Sequence, residues 1–253
     1  MTFLLILLAN LLVSFISIFT FGLLSINHKK LNSFLLVFIA FAAGALLGDA
    51  FIHILPESST LIGSAPAFIV ALLGFSIFFL LEKILHYHHC PEPNCEKQDF
   101  EDKLLKPVAK LSLLSDSIHN FFDGLAIGAS FLMSSPLGWA TTFGIMVHEI
   151  PQELGDNAVL LYSGLKRKKV LFYNYLVSLT SFLGSLVTYF LGSRLETFNN
   201  YVLPFVAGSF IYLAASDLVP ELKEEKHFGH FVLEFLGFLL GIGAMFAIWM
   251  VGK

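Results

Sequence analysis

The run FLLILLANLLVSFISIFTFGLL, residues 3–24, contains no charged side chain. A bilayer core of roughly 30 Å needs about 20 apolar residues in a helix, so this run is long enough to cross a membrane. It is longer than the apolar core of a signal peptide, and it has neither a basic leader nor a clear small-residue cleavage site. The run therefore predicts a retained membrane helix.

The composition of the whole chain agrees with this assignment. Of the 253 residues, 56% are hydrophobic and only 13% are charged, which is far from the composition of a soluble domain. The formal net charge is -4, and no basic domain is present that could neutralise a phosphate backbone, so nucleic acid is excluded as a partner. Cys90 and Cys95 share one polar loop and provide neither a disulfide framework nor a four-cysteine zinc module.

Similar apolar runs recur along the chain and predict a single all-α, polytopic membrane domain over residues 1–253. A polar loop at 86–110 interrupts it and is expected on the cytosolic side. Lys and Arg concentrate in alternate connections, so the positive-inside rule predicts both termini outside the cytosol, in a plasma or inner cell membrane. The eight predicted transmembrane helices lie at about 3–26, 33–55, 66–85, 111–133, 137–163, 170–192, 201–219 and 229–251.

Two of these helices resemble each other in sequence. FAAGALLGDAFIHILPE at 41–57 and FVAGSFIYLAASDLVPE at 205–221 align without a gap and share Phe, Gly and the final Pro-Glu. The helix at 41–57 is predicted to run outward and the helix at 205–221 inward, which predicts an inverted repeat relating the N- and C-terminal three-helix parts. Chance similarity between helices rich in Ala, Gly and Phe is the alternative. Inverted repeats are typical of carriers, so the pattern favours transport over catalysis.

The fourth and fifth predicted helices carry most of the intramembrane polar residues. An acidic residue at the bilayer centre costs roughly 2.5 to 3.5 kcal/mol on insertion scales, so these side chains are expected to face the protein interior. Spacings of three, four and seven residues align them in rows on each helix. The rows contain Asp116, His119, Asn120 and Asp123 on the fourth helix, and His148, Gln152 and Asp156 beside Glu149 and Glu153 on the fifth.

Two facing helices with imidazoles and carboxylates offer nitrogen and oxygen ligands that suit zinc and are compatible with iron or manganese. A divalent cation would offset the buried negative charge. Pro151 lacks a backbone N–H, so it is expected to loosen the fifth helix beside the ligands. The alternatives are a buried hydrogen-bond network that joins the two helices, or a proton relay without metal.

An intramembrane metalloprotease is the rival hypothesis, because His148 and Glu149 match the first half of the H-E-x-x-H motif. That motif requires a second histidine, and Gln152 stands in its place. Pro151 also interrupts the helix that would have to align both histidines. The sequence therefore predicts that the chain is not an enzyme.

The same residues resemble the ZIP family of zinc and iron transporters, in the branch with the patterns HNFxDGLAIGASF and HExPxExGD. These patterns fit residues 119–131 and 148–156, and DAFIHILPE at 49–57 resembles the second helix of that branch. The resemblance implies metal movement toward the cytosol, with His119, Asp123 and His148 as core ligands. It implies that Asn120, Glu149 and Gln152 complete one or two adjoining sites, although the neutral Gln152 departs from the histidine or glutamate common in relatives and argues against a binuclear centre.

The resemblance also implies further polar residues along a transport pathway. They are Asp49, His53 and Glu57 toward the outside, Asp217 and Glu221 toward the inside, and Asp116, Glu153, Asp156 and Asn174 near the core. The metal is then the substrate and no cofactor is expected; Zn²⁺ is favoured, and Fe²⁺, Mn²⁺ and Cd²⁺ remain alternatives because they accept the same ligands. The expected partners are the divalent ion and the lipid bilayer. A homodimer, and metal binding by the His and Cys residues of the 86–110 loop, are left open.

Overall fold

The computed structural model describes residues 1–23, 28–87, 107–192, 196–222 and 228–251. Throughout these ranges the chain folds into helices and forms no strand, which confirms the all-α prediction. The first four helices are α1 (Thr2–Leu23), α2 (His28–Gly48, continuing through a π-helical segment Asp49–Ile54 into Leu55–Ile62), α3 (Ser64–Tyr87) and α4 (Pro107–Met133). They are followed by α5 (Ser135–Tyr162), α6 (Arg167–Ser178 and Thr180–Gly192), α7 (Glu196–Leu213, the π-helical Ala214–Leu218, and Val219–Leu222) and α8 (Phe228–Val251).

Within the described ranges, six helical stretches are long and apolar enough to cross a membrane, which indicates a multi-pass membrane protein. They are Thr2–Gly22, Leu36–Ile62, Ser64–Ile84, Arg167–Gly192, Thr197–Ser216 and His230–Val251. The remaining long helices, α4 and α5, have comparable length but carry the acidic and imidazole residues that lower their hydropathy. Most of the predicted cytosolic loop lies outside the described residues.

Apolar side chains cover the outside of the helical assembly and polar ones lie within it. On α3 and α8, Leu72 and Leu240 are each 65% exposed, as expected for helices that face lipid. Asp123, His148 and Glu149 on α4 and α5 are at most 1% exposed. This distribution reverses the usual surface of a soluble protein and agrees with a lipid environment, where buried polar groups are satisfied by one another.

Glycines allow α2 and α8 to approach until their backbones touch. A Cβ added at Gly44 would lie 2.1 Å from the Phe238 carbonyl oxygen, and one at Gly241 would lie 2.1 Å from that of Phe41. In lipid, helices have no hydrophobic driving force for association. Small residues at such crossings allow close van der Waals packing, which stabilises the helix pair instead. The α2–α8 pair is therefore held by reciprocal glycine contacts.

The pair of α3 and α7 is built in the same way. A Cβ at Gly74 would lie 2.0 Å from the Phe205 carbonyl oxygen, and a Cβ at Gly208 would lie 1.8 Å from that of Ala71. Only a residue without a side chain fits at these positions. The glycines thus determine which helices pair around the central helices α4 and α5.

Helices α4 and α5 form an antiparallel hairpin joined by Ser134 alone. The Ser134 hydroxyl accepts a hydrogen bond from the Leu137 backbone N–H at 3.3 Å, and Pro136 lies in the first turn of α5, where a missing N–H costs nothing. Near the hairpin, the Ser130 hydroxyl donates to the Thr141 hydroxyl at 3.1 Å. This tight turn sets the register in which the polar rows of the two helices face each other.

Candidate metal centre

Four potential metal ligands converge between α4 and α5. They are His119 and Asp123, one turn apart on α4, and the adjacent His148 and Glu149 on α5. One ligand atom from each lies within 4.8 Å of all the others. The imidazole Nε2 atoms of His119 and His148 are 3.0 Å apart. The structure therefore brings together four of the residues that were predicted from the sequence as metal ligands.

The separations between these atoms fit a tetrahedral site. Bonds of about 2.0 to 2.1 Å to nitrogen and oxygen place tetrahedral zinc ligands roughly 3.3 Å from one another. The Asp123 Oδ2 atom lies 3.5 Å from His119 Nε2 and 3.3 Å from His148 Nε2. The Glu149 Oε1 atom lies 3.6 and 3.7 Å from the same two nitrogens. These distances scatter around the value that one small cation would require.

Burial and hydrogen bonding also leave these four side chains suited to a cation. Asp123 Oδ2 and Glu149 Oε1 are buried and accept no hydrogen bond from the described residues. The His148 Nδ1–H donates to the Gly144 carbonyl oxygen at 3.1 Å, so the lone pair of its Nε2 atom points toward the other ligands. When both are ionised, the Asp123 and Glu149 carboxylates carry the charge that one divalent ion would offset.

A second group of polar side chains lies one helical turn from the quartet, toward the start of α4. Asp116 Oδ1 accepts hydrogen bonds from Asn120 Nδ2 at 2.8 Å and from Gln152 Nε2 at 3.3 Å. The other carboxylate oxygen of Asp116 and the Asn120 carbonyl oxygen are buried and have no hydrogen-bond partner among the described residues. Asn120 and Gln152 thus face Asp116 through their NH₂ groups.

The polar contacts continue in the same direction. The Ser112 hydroxyl donates to Asp156 Oδ1 at 2.6 Å. Between the Ser112–Asp156 contact and the quartet, α4 and α5 contact each other at every third or fourth residue. Successive contacts are therefore separated by about 5 to 6 Å along the helices. Asp116 and Asp156 therefore lie in line with the quartet, on the side that leads to the 86–110 loop.

Glu153 and Asn174 lie apart from this line. The Asn174 amide on α6 donates to Glu153 Oε2 at 3.0 Å and to Asn157 Oδ1 at 3.1 Å. The other oxygen of Glu153 accepts a hydrogen bond from the Ser17 hydroxyl on α1. Asn157 follows Glu153 by one turn, a spacing that is visible in the sequence, whereas no local signal indicates Ser17. These two residues, half of the buried cluster, were not predicted.

On the other side of the quartet, α2 contributes an acidic and imidazole pair. Asp49 Oδ1 lies 3.1 Å from His53 Nδ1, and both residues belong to the π-helical segment of α2. A Cβ added at Gly144 would lie 3.9 Å from Asp49 Oδ2, so Asp49 is adjacent to the turn of α5 that precedes His148. Glu57 is exposed one turn beyond His53.

The remaining predicted residues fall beyond what the structure describes. The side chains of Asp217 and Glu221 are outside the described residues, as are the side chains of the His and Cys residues of the 86–110 loop. The roles assigned to them stay predictions.

Comparisons with known proteins identify the family of this chain. The sequence model of the family described as ZIP Zinc transporter matches residues 2–110 and 89–249. The chain belongs to the ZIP zinc transporter family. It is 30% identical to Zinc transporter zipt-7.2 of Caenorhabditis elegans over 88% of the chain and 60% of that protein. It is 36% identical to human Zinc transporter ZIP6 over 63% of the chain and 22% of that protein.

A third relative is an uncharacterized zinc transporter of Schizosaccharomyces pombe, which is 32% identical over 76% of the chain and 57% of its own length. The chain thus spans about three fifths of two of these relatives and about a fifth of ZIP6. Membership of the ZIP family agrees with the resemblance drawn from the HNFxDGLAIGASF and HExPxExGD patterns.

Proposed function

We propose that this ZIP-family chain carries a divalent metal ion, zinc first among the alternatives, across the membrane toward the cytosol. The observation that carries the proposal is the tetrahedral arrangement of His119, Asp123, His148 and Glu149, whose ligand atoms lie 3.0 to 3.7 Å apart in the five measured pairs. Mixed imidazole and carboxylate ligands suit zinc and also accept iron, manganese or cadmium. The relatives named as zinc transporters favour zinc among these ions.

One ion at a time is the occupancy that these side chains favour. A second ion beside the quartet would need Asn120 and Gln152 as ligands, and both are neutral amides that bring no negative charge. A neutral glutamine cannot bridge two cations as a carboxylate does. Glu149, in contrast, belongs with the three core ligands rather than with an adjoining site.

The membrane arrangement that we propose has eight spans, with α4 and α5 crossing in addition to the six apolar stretches. Their 27 and 28 residues correspond to roughly 40 Å of helix, and their charged side chains face the interior. The distribution of Lys and Arg supports termini outside the cytosol, in a plasma or inner cell membrane.

The glycine crossings support the inverted repeat. Both α2 and α7 have a π-helical segment before their Pro-Glu pair, at positions that the 164-residue offset aligns. Phe238 and Gly241 of α8 contact α2, and Ala71 and Gly74 of α3 contact α7. Phe238 follows Ala71 by 167 residues, and Gly241 follows Gly74 by the same number. Equivalent contacts in helices of opposite direction favour two-sided access to a central site.

The transport route that follows from this topology enters beside Asp49, His53 and the exposed Glu57. It passes the quartet and leaves along Asp116 and Asp156 toward the cytosol. Asp217 and Glu221 extend the inner end of the same route. Carboxylates at each step would let a cation exchange ligands instead of crossing bare hydrocarbon.

The protease hypothesis has no comparable support. The H-E-x-x-H motif needs a histidine at position 152, and the glutamine found there donates a hydrogen bond to Asp116. The family that the chain matches is a family of transporters. The chain is accordingly proposed to be no enzyme.

Zinc uptake into proteoliposomes that contain a zinc-sensitive dye tests the function. Native protein should accumulate zinc, whereas His148→Ala, which removes one of four ligands, should lose most of the uptake. Ser76→Ala is the matched control, because the Ser76 hydroxyl is exposed and bonds only the Leu72 carbonyl of its own helix. Equal uptake by native protein and His148→Ala would refute the site, and no uptake of any divalent ion by the native protein would refute the function.

A further inference from the structure

Glu153 is the only one of the buried carboxylates of α5 whose two oxygens are both held by side chains of other described helices. One oxygen accepts from Ser17 on α1, and the other accepts from Asn174 on α6. All three side chains are at most 1% exposed. Glu153 therefore ties α5 to two neighbouring helices at a single point.

This tie lies immediately after the weak point of α5. Pro151 stands inside the helix and cannot donate the hydrogen bond that would satisfy the Val147 carbonyl, so the helix can bend there. His148 and Glu149 lie three and two residues before Pro151, and Glu153 follows it by two residues. A bend at Pro151 would change how the two halves of α5 sit against α4.

The half of α5 after Pro151 is held on two adjacent faces. Gln152 and Asp156 are one turn apart and contact α4. Glu153 and Asn157 are also one turn apart, rotated by about 100°, and both contact Asn174 on α6. With the polar contacts to α4 alone, this half of α5 could rotate about the line where it touches α4. The contacts of Glu153 with α1 and α6 oppose that rotation.

We infer that Glu153, held by Ser17 and Asn174, is a positioning residue that keeps α5 straight enough across Pro151 for His148 and Glu149 to meet the ligands of α4. The inference rests on the proposed function, and it differs from the pathway expected from the sequence because it takes Glu153 and Asn174 out of the ion route. Both Glu153 oxygens and the Asn174 NH₂ group are used between helices, on a different face of α5 from the one that bears Gln152 and Asp156.

The test exchanges the acid and the amide between α5 and α6. Asn174→Asp places two carboxylates together and breaks the tie. Glu153→Gln keeps one amide oxygen that can still accept from Asn174, so by itself it only weakens the tie. The double variant, Glu153→Gln with Asn174→Asp, again pairs one carboxylate with one amide. Zinc affinity is measured by calorimetry on the purified chain, and ligand geometry by the absorption spectrum of bound Co²⁺.

The expected result is a rise of about tenfold in the zinc Kd of Asn174→Asp, in the range found for residues that orient metal ligands. The Co²⁺ spectrum should change with it, and the double variant should return both to within about twofold of the native values. Ser17→Ala removes one donor and should give a smaller shift in the same direction. It carries the test if a charge variant does not fold.

Unchanged zinc Kd and Co²⁺ spectrum in Asn174→Asp, or in Ser17→Ala if the former does not fold, would overturn the inference. A double variant as impaired as Asn174→Asp would also overturn it. If native protein itself fails to bind zinc, the proposed function fails instead, so the two failures are distinguishable.

Discussion

Replacing Asp123 with asparagine should shift stability in opposite directions with and without zinc. The carboxylate lies 3.3 and 3.5 Å from the two imidazole nitrogens, is 1% exposed, and its Oδ2 accepts no hydrogen bond from the described residues. Asparagine keeps the volume but removes the charge. Without metal, the variant should be more stable, because it no longer holds a buried carboxylate without a matching cation.

With zinc, the same substitution should weaken binding by about a hundredfold. Zinc sites with four protein ligands bind with roughly 10 to 16 kcal/mol at neutral pH, or about 3 kcal/mol for each ligand. At about 1.4 kcal/mol per tenfold, this loss corresponds to roughly two orders of magnitude in Kd. At a zinc concentration of about 100 times the native Kd, native protein should gain ~2.7 kcal/mol from binding, and the variant only ~0.4 kcal/mol.

The assay is unfolding of the purified chain in detergent, with chelator and then with that fixed zinc concentration. Ser76→Ala serves as the control and should behave as native protein under both conditions. The reasoning would be refuted if Asp123→Asn were destabilised in chelator, or if zinc stabilised it as much as it stabilises native protein. The first result would mean that Asp123 is a structural partner of the histidines, and the second that it is not a ligand.

Two further substitutions test the packing and the occupancy. Gly184→Leu should destabilise the chain by about 1 to 3 kcal/mol in the same unfolding assay, because a Cβ there would lie 2.0 Å from the Phe121 carbonyl oxygen on α4. Stability equal to that of native protein would show that α4 and α6 do not touch at this glycine. Gln152→Glu adds a carboxylate that can bridge, so calorimetry should give two zinc ions per chain instead of one; an unchanged stoichiometry would contradict the role given to Gln152.

Much of the site could be predicted from the pattern on α4 and α5. Charged side chains are costly in lipid, so their rows had to face inward, and rows on consecutive helices joined by a short turn had to face each other. His119, Asp123 and His148 follow from this argument. The close approach of Glu149 does not, because it lies about 100° around the helix from His148, and only the packing angle of α4 against α5 directs both toward the same point.

Other contacts carry no local signal. Ser17 is one of several hydroxyl residues on an apolar helix, and nothing in the residues around it indicates that it meets Glu153 on a helix far away in the chain. The π-helical segments that contain Asp49 and Ala214 were likewise not predicted, since one extra residue in a turn depends on the packing around it rather than on the residues themselves.

The sequence by itself determined that this chain lies in a membrane, that it is helical, and that α4 and α5 carry the polar site, because length, hydropathy and spacing are properties of each segment alone. Only the tertiary structure decided that Glu149 joins His119, Asp123 and His148, and that Glu153 turns instead toward Ser17 and Asn174. Those outcomes depend on how far apart and at what angle helices cross, which the glycine contacts and the Ser134 hairpin set jointly and no single segment encodes.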